Sequence, residues 1–243
     1  MYILSFDTCN GSCSVAISLN DAVLYFDCEN EINKQAEKLF FMIEKALNTL
    51  SIWYDDLSAL ALTVGPGSFT GIRIGIAAAY GIILALKDKN PDLKVITLST
   101  LDVVAYAALD TIKNNNINND KDILALLNAG RAKFYSKVFN FSNSTNKKSF
   151  NVNNFVIELL DKECIAQMID KYVVCGNFEN EKSLNLMPNA KVLAKLSYNE
   201  IINKTINIQI IGKEQMIDIS PIYIREADIG KSNCKSNLSI NTI

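Results

Sequence analysis

The chain opens with three short strand patterns joined by tight turns, and helical patterns appear only after them. Residues 2–7 form an apolar run, and residues 12–19 alternate between apolar and small side chains, which is typical of a half-buried strand. An Asn-Gly pair at 10–11 separates them and is a strong hairpin signal. A second turn at 20–21 leads into a strand pattern over 22–28. The sequence therefore predicts a three-stranded antiparallel meander at the start of the fold.

Helix and strand patterns alternate after this meander. The predicted elements are a helix over about 33–50, a strand over 60–64, a helix over 71–86, a strand over 94–98, and a helix that Ser99 or Thr100 caps and that runs to Leu109. The first helix has a core stripe formed by Ala36, Leu39, Phe40, Ile43, Leu47 and Leu50. The second helix is apolar nearly all round, which predicts that it is buried. The first half thus has the order βββαβαβα and belongs to the α/β class.

A polar stretch over 113–122 breaks the pattern, and we place the boundary between two halves near it. The predicted elements beyond it are a buried strand over 123–128, a strand with one exposed face over 132–141, a polar loop over 140–154, a helix over 161–171, a strand over 172–175 and a helix over 190–203. We therefore divide the chain into an N-terminal half over 1–110, a smaller C-terminal half over 111–228 and a tail over 229–243. Strands precede helices in both halves, which indicates a duplicated unit.

The composition excludes several classes of protein. The chain has 243 residues, of which 49% are hydrophobic, so it can bury a large core and is not intrinsically disordered. Its formal net charge of -2 lacks the basic excess of a protein that binds nucleic acid on its own. The sequence contains no histidine, which excludes Ser-His and Cys-His catalytic pairs, imidazole bases and His-ligated metal sites. We expect no metal site and no catalytic set.

The cysteines and the apolar runs bear on the cellular location. None of the six cysteines forms a Cys-x-x-Cys pair, and no secretory signal precedes the first strand, which predicts a reduced, cytoplasmic protein. The longest apolar run, over 74–86, is too short to span a bilayer. We therefore expect no association with a membrane.

Asp7 is the first candidate for a functional residue. It ends the first strand and is followed by Thr8 and a tight hairpin. In kinases and ATPases with this order of elements, such an acid holds hydrated magnesium while the backbone N–H groups of the hairpin face the phosphates. A structural role has equal weight, in which Asp7 accepts hydrogen bonds from the turn backbone.

A glycine-rich loop before the second helix is another candidate for the phosphate side. Its candidate residues are Gly65, Gly67, Ser68 and Thr70. The glycines permit close approach of the backbone, a hydroxyl can cap the helix, and a helix N-terminus favours an anion. It is not a Walker A loop, because no lysine follows Gly71. Arg73 lies in the first turn of the helix, where its charge opposes the helix dipole, so we expect it to pair with an acid or a phosphate.

Two enzymatic alternatives follow from these residues. A stand-alone ATPase or small-molecule kinase, with Asp7 on magnesium, would need a second phosphate loop. The only candidate, residues 128–131, has no carboxylate to act as a base, and the later Gly176 is isolated. A peptidase that used Ser68 or a cysteine would need a lysine base, and no Ser-Lys pairing is evident. The residues alone therefore supply no convincing catalytic set.

Five segments of the chain resemble the TsaB (YeaZ) family. They are FDT at 6–8, GSCSVAI at 11–17, VGPGSFTGIRIGIAAAYGI at 64–82, NAGRAKFY at 128–135 and SPIYIRE at 220–226. They span most of the chain in the family's order and spacing, and the block that contains GPGSFTGIRIG is highly specific. Asn128 stands where the family usually has Asp. The resemblance implies the actin/Hsp70/sugar-kinase (ASKHA) type of fold, with two similar halves that each have a mixed β-sheet flanked by helices.

The resemblance also implies a function. The family is similar to TsaD, the subunit that transfers a threonylcarbamoyl group to the adenosine beside the anticodon of tRNAs that read ANN codons. TsaD binds its metal through paired histidines, which TsaB proteins lack, so the resemblance implies a non-catalytic scaffold or activator. It implies TsaD as the main partner, TsaE as a further member, a homodimer when the protein is alone, and contact with tRNA only through the complex. No cofactor is expected to be intrinsic, although ATP or ADP with Mg²⁺ can belong to the complex.

The partner face is expected on the helices over 33–50 and 71–86, because TsaB proteins bind TsaD and form homodimers through helices of the N-terminal half. Phe41 and Met42 lie off the core stripe of the first helix and are the candidate apolar anchors. The other interface candidates are Gln35, Arg73 and Tyr80. Gln35 opens the sequence Gln-Ala-Glu where the family often has His-Ser-Glu, a departure that agrees with a non-catalytic role.

Overall fold

A computed structural model of the chain describes residues 1–31, 34–115, 121–140, 156–204, 206, 208–213 and 216–224. Two mixed β-sheets, each flanked by helices, make up the fold. This is the α/β architecture that the sequence predicts. The sheets follow one another along the chain, except that a late segment returns to the first sheet.

The first half follows the predicted order of elements. Its strands are β1 (Tyr2–Asp7), β2 (Cys13–Leu19), β3 (Ala22–Glu29), β4 (Leu57–Thr63) and β5 (Lys94–Leu98), and its helices are α1 (Gln35–Leu50), α2 (Phe69–Leu86) and α3 (Thr100–Asn114). The two predicted turns contain residues with positive φ, Gly11 at 81° and Asn20 at 57°, so the chain can reverse tightly there. The antiparallel pairing of β1 with β2 and of β2 with β3 confirms the predicted meander.

The second half repeats this strand topology. Its strands are β6 (Ile123–Gly130), β7 (Lys133–Phe139), β8 (Glu158–Asp161), β9 (Val173–Gly176) and β10 (Leu184–Asn185), and its helices are α4 (Lys162–Met168) and α5 (Ala190–Asn203). A last short strand, β11 (Gln209–Ile210), pairs with β5. The two sheets have the orders β11-β5-β4-β1-β2-β3 and β10-β9-β6-β7-β8. In each half the first strand pairs antiparallel with the second and parallel with the fourth, and the second strand pairs with the third.

Helices cover both faces of the first sheet. α1 and α2 pack on one face, in a core that includes Phe6, Ile43 and Leu62. α5 and one side of α3 pack on the other face, against Ile3 and Ile96. The opposite side of α3 packs on the second sheet. Helix α3 therefore joins the two sheets through apolar contacts.

Burial departs from two of the strand predictions. β2 is buried on both faces up to Leu19, not half-buried, because α1 covers one face and α5 the other. β7 is largely buried as well, because the second sheet has an apolar core on each face. The alternating pattern of β2 did not reveal this because the polar positions of that strand have small side chains, which fit under a covering helix. The Ser14 hydroxyl accepts from the Ala190 N–H, and the Ser136 hydroxyl donates to the Glu158 carbonyl.

Helix α1 is rotated relative to the predicted stripe. Leu39, Ile43 and Leu47 are buried as predicted, whereas Phe40 is exposed and Met42 belongs to the core. Two adjacent stripes of this helix are apolar, so helical spacing by itself could not decide which of them faces the sheet. The contact between α1 and the sheet made that choice.

Helix α2 is not buried all round, which corrects the second helix prediction. Eight of its 18 residues are buried, and Tyr80 and Leu84 lie on an exposed face. Among the described residues, α2 alone is long and apolar enough to cross a membrane by length and composition. Its buried face packs on the first sheet and α1, as the core helix of a globular protein does.

The remaining predictions concern the ends of two helices, the polar loop, the tail and the division into halves. α3 continues five residues beyond the predicted Leu109, to Asn114, and α4 is shorter than the helix predicted over 161–171. The loop over 140–154, apart from its first residue, and the tail over 229–243 lie outside the described residues. The division of the chain at 110 stays a prediction. Parts of the C-terminal portion, α5 and β11, pack on the first sheet.

Candidate functional site

Asp7 lies at the carboxyl end of β1 and is buried, with 1% of its surface exposed. The Thr63 hydroxyl and the Cys9 backbone N–H donate hydrogen bonds to its Oδ1, the latter over 3.4 Å. Its Oδ2 atom has no hydrogen-bond partner among the described residues. Burial raises the pKa of Asp7, and the bonds from Thr63 and Cys9 oppose this only in part. A magnesium ligand has to be ionised and within reach of water, and the burial of Asp7 opposes both requirements.

The glycine-rich loop packs directly on the hairpin backbone that a phosphate would need. The Ser68 N–H donates to the Cys9 carbonyl over 2.6 Å, and the Thr8 hydroxyl donates to the Gly71 carbonyl over 2.7 Å. A Cβ atom on Gly67 would lie 2.1 Å from the Cys9 carbonyl oxygen. Glycine is therefore needed for a contact between two loops. The hairpin backbone that was predicted to face a phosphate therefore has the backbone of the glycine-rich loop against it.

The other loop residues predicted on the phosphate side have structural roles or lie apart. Ser68 caps α2 by accepting a hydrogen bond from the Gly71 N–H over 3.2 Å, as predicted. Gly65 has a φ of 101°, and its missing side chain leaves room for the carbonyl of Ile222. Thr70 is exposed. The structure thus joins Thr8, Gly67 and Ser68 in a closed contact and leaves Thr70 outside it.

Helix α5 covers the hairpin from its second side. The backbone N–H of Ala190, the first residue of α5, donates to the Ser14 hydroxyl over 2.9 Å. Ser14 pairs with Asp7 across the ladder between β1 and β2. Cys9, in the same turn, is buried, and burial raises the pKa of its thiol to about 12, so it is a poor nucleophile.

Arg73 contacts aromatic rings. Its guanidinium carbon lies 3.7 Å from the centre of the Phe69 ring, and its Nε donates to the Tyr223 hydroxyl over 3.3 Å. The Phe69 and Tyr223 rings are themselves 4.9 Å apart, centre to centre. Among the described residues no acid pairs with Arg73, and the alternative of a phosphate partner stays a prediction.

Two of the predicted interface residues are buried, and the hydroxyl of a third is bonded within the chain. Met42 is 4% exposed, and Gln35 is buried with its amide donating to the Gly11 carbonyl over 2.8 Å. Both are therefore corrected as contact candidates, because their side chains already have neighbours within the fold. The Tyr80 hydroxyl bonds the backbone of residues 217 and 219 over 3.2 and 3.1 Å, although part of its ring stays exposed.

The outer face of α1 and α2 is apolar. Phe41 is 65% exposed and Leu84 is 77% exposed. A groove of about 530 Å³ lies between the two helices and the segment after α1, where Phe40 and the exposed Trp53 line it. Sequence analysis missed Leu84, because the apolar helix gave no sign of which side faces water. It also missed Trp53, although the single tryptophan of the chain, three residues after the end of α1, is a signal of its own.

The turn between β6 and β7, which opens the second half, contains no acidic residue. The Asn128 Oδ1 accepts from the Gly130 N–H, and the Asn128 N–H donates to the Asn177 Oδ1, both over 2.7 Å. Within the part of the chain that the structure describes, no three His, Cys, Asp or Glu residues are grouped to hold a metal ion.

Similarity to known proteins agrees with the geometry. Residues 31–159 match the family model described as TsaD, tRNA N6-adenosine threonylcarbamoyltransferase. The chain is 30% identical over 211 residues to the tRNA threonylcarbamoyladenosine biosynthesis protein TsaB of Buchnera aphidicola subsp. Schizaphis graminum, which covers 82% of this chain and 93% of that protein. It is 37% identical over 108 residues to the TsaB of Escherichia coli K12, or 44% of each chain. The solved structure of YeaZ from Pseudomonas aeruginosa has a TM-score of 0.65 at 22% identity, over 84% of this chain and 95% of that one, which supports the fold.

Proposed function

Because the chain belongs to the TsaB (YeaZ) family, we propose that it takes part in the biosynthesis of tRNA threonylcarbamoyladenosine as a non-catalytic subunit. Its main partner is a protein of the TsaD type, which carries out the transfer. The observation that carries this proposal is the exposed apolar face of α1 and α2.

This face has the properties of a protein-binding surface. Phe41 and Leu84 expose large apolar side chains, which are costly to keep in water and become anchors when a partner covers them. Gly81 lines the groove between the two helices and has no atom within 4 Å of the position that a Cβ would take. The backbone of α2 is therefore open to close approach by an element of the partner. In the proposed assembly the same face serves the homodimer when the protein is alone, so the two contacts compete.

The state of Asp7 favours a non-catalytic role. Its carboxyl is buried, its pKa is raised by burial, and the glycine-rich loop is bonded to the hairpin beside it. These features disfavour the alternative of a stand-alone ATPase or small-molecule kinase, which would need an open, ionised acid. We propose that the chain has no intrinsic cofactor, and that ATP or ADP with Mg²⁺ acts elsewhere in the complex, which TsaE joins.

We propose that the subunit contacts tRNA only as part of the complex. A net charge of -2 gives the isolated chain no general attraction to nucleic acid. We place the protein in the cytoplasm, where tRNA is modified in bacteria.

The partner face is tested by Phe41→Ala. Loss of a central aromatic anchor should weaken binding to the TsaD-type protein of the same organism by about 30-fold or more, measured by calorimetry. The matched control is Ile202→Ala, which removes an exposed apolar side chain on α5, on the other side of the first sheet. Both variants should melt at the temperature of the unmodified protein. Equal affinities for the two variants would refute the role of Phe41.

The activity is tested by reconstitution. Threonylcarbamoylation of tRNA by the TsaD-type protein and TsaE should depend on this chain, and Phe41→Ala should lower the rate at limiting but not at saturating subunit concentration. The isolated chain with ATP and Mg²⁺ should show no turnover. Turnover that Asp7→Asn abolishes would instead support the ATPase alternative.

A further inference from the structure

The groove between α1, α2 and the segment after α1 has a lining of mixed chemistry. Its volume is about 530 Å³. We call it the helix groove and define it by Phe40 and Glu44 of α1, Trp53 and Asp55 of the following segment, and Gly81 of α2. Its lining differs from the apolar surface beside it, because it combines aromatic rings with carboxylates.

Two aromatic rings of the helix groove are open to solvent. Trp53 is 76% exposed and Phe40 is 46% exposed. The backbone of Trp53 is nevertheless fixed, because its N–H donates to the Asp56 carboxylate over 2.8 Å and its carbonyl accepts from the Asp56 N–H over 3.1 Å. The face of an indole attracts a cation more strongly than the other aromatic rings do. The groove therefore presents an indole from a fixed backbone, which suits a cationic group.

Two carboxylates of the helix groove have unused acceptor atoms. The Oε1 of Glu44 accepts from the Tyr54 hydroxyl over 2.8 Å, and its Oε2 has no partner among the described residues. Burial raises the pKa of Tyr54, so this hydroxyl keeps its proton and holds Glu44 in place. The Asp55 carboxylate has no hydrogen bond or ion pair with a described residue, although the Asn90 side chain donates to the Asp55 carbonyl over 3.4 Å.

The charge and the shape of the helix groove favour a long cationic side chain. Lys89 is the base among the described lining residues and opposes a positive ligand. Glu44 and Asp55 outnumber it, so the lining keeps a negative excess. On the α2 side, Gly81 and the exposed Ala85 take up little space. A side chain of several carbons can therefore enter and bring its charge to the two acids.

We propose that the helix groove receives an arginine side chain of the TsaD-type partner, which stacks on Trp53 and pairs with Glu44 and Asp55. Arginine fits better than lysine, because its planar guanidinium stacks on a ring and donates to two carboxylates at once. The choice of this partner rests on the proposed function. Phe41 anchors the interface by apolar burial, and the groove selects which element of the partner fits.

The first test needs no partner and uses the fluorescence of Trp53, the single tryptophan of the chain. The full chain is titrated at constant ionic strength with N-acetylarginine amide and with N-acetylcitrulline amide, its uncharged isostere. The arginine compound should change the emission with a Kd on the order of 10 mM, whereas the citrulline compound should not saturate up to about 100 mM. Equal responses to the two compounds would overturn the proposal.

The second test measures binding of the TsaD-type protein by calorimetry. Asp55→Asn and Glu44→Gln keep the size of the side chain and remove its charge, so each should weaken binding about threefold at low salt. This loss should disappear at about 1 M salt, where the Debye length falls to about 3 Å. Trp53→Leu keeps an apolar side chain without the indole face, and it should weaken binding about fivefold at low salt.

The matched control for the two acids is Asp21→Asn. Asp21 is an exposed acid in the turn between β2 and β3, outside the groove, and its substitution makes the same change in net charge. It should leave the affinity unchanged. Phe41→Ala should weaken binding at low and at high salt, because salt does not screen the loss of apolar burial.

The two tests separate this proposal from the proposed function. If Phe41→Ala weakens partner binding while Asp55→Asn and Trp53→Leu do not, the arginine contact is refuted and the partner face stands. If the arginine compound saturates the Trp53 signal but no TsaD-type protein binds, the proposed function fails and the preference of the groove for arginine stands. Losses in self-association alone would assign the groove to a second copy and overturn the choice of partner.

Discussion

The turns after β1 and β6 occupy the same place in two repeated strand patterns, yet one is closed and the other is open. At the first turn, Asp7 is buried and the glycine-rich loop is bonded to the hairpin backbone. At the second turn, Asn128 is exposed and lines a pocket. The strand pairing is alike in both halves, so strand order does not decide whether a turn can meet a ligand.

The difference lies in the segment after the fourth strand of each half. After β4 the chain makes the glycine-rich loop and α2, and Gly67 lets that loop press on the Cys9 carbonyl. After β9 a short segment leads to β10 without a helix, so within the described ranges no loop and helix like those after β4 cover the Asn128 turn. α5 adds to the asymmetry, because it begins against Ser14 in the first half. The exposure of these two turns to solvent therefore depends on the loops and on the last helix, and not on the order of the strands.

The largest expected effect concerns the bond between the halves. The Lys137 ammonium of β7 lies 2.7 Å from the Asp102 carboxylate of α3, and both side chains are buried. Lys137→Ala leaves that acid without its ion-pair partner, so the free energy of unfolding should fall by about 3 to 5 kcal/mol in urea denaturation.

The matched control for this ion pair is Lys182→Ala. Lys182 lies 2.6 Å from Asp170, and both side chains are largely exposed. Its loss should cost less than about 1 kcal/mol, because water screens the pair. Similar losses in the two variants would mean that the halves do not depend on the buried bond.

The next prediction concerns a substitution that disrupts the closed turn after β1. Gly67→Ala places a methyl group against the Cys9 carbonyl, so we expect a loss of about 3 kcal/mol from displaced backbone. Gly81→Ala is the control in the same region, since open space surrounds that position and alanine favours a helix by up to about 1 kcal/mol. Both are measured by urea denaturation. A tolerated Gly67→Ala would show that the first turn can open.

The smallest expected effect is a difference between Asp7→Asn and the unmodified chain in how stability depends on pH. Burial raises the pKa of Asp7 in the folded state, so this group stabilises the fold below the unfolded pKa of about 4, and that contribution is lost as pH rises through the folded pKa. Asp7→Asn cannot ionise, so as the pH rises through the folded pKa of Asp7 the variant should lose less stability than the unmodified chain. Unfolding curves at about pH 4.5, 6 and 7.5 measure the difference.

The second turn supplies the contrast for this prediction. Asn128→Asp adds a carboxylate at an exposed position, so it should produce no comparable dependence of stability on pH. The stability of Asp7→Asn relative to the unmodified chain should rise with pH. A relative stability that stays constant or falls would contradict the burial of Asp7.

Local patterns predicted much of the fold. The Asn-Gly turn at 10–11, the position of β2 and the cap at Ser99 depend on neighbours in sequence, and each lies where it was predicted. The predictions for Phe40 and Met42 failed because two apolar stripes of α1 are equivalent until a sheet covers one. The hydrogen bond between Asn128 and Asn177 was not predicted, since the two residues are 49 positions apart and no local signal links them.

The sequence by itself determined the order of elements, the turns and the absence of histidine chemistry, because these follow from residue type and short-range spacing. It also contained the motifs of the family. Only the tertiary structure decided that Asp7 is buried, that Asn128 is exposed, and that Phe41 and Leu84 face water. Those properties depend on which segments distant in sequence pack together, and close packing is a property of the folded whole and not of any stretch of residues.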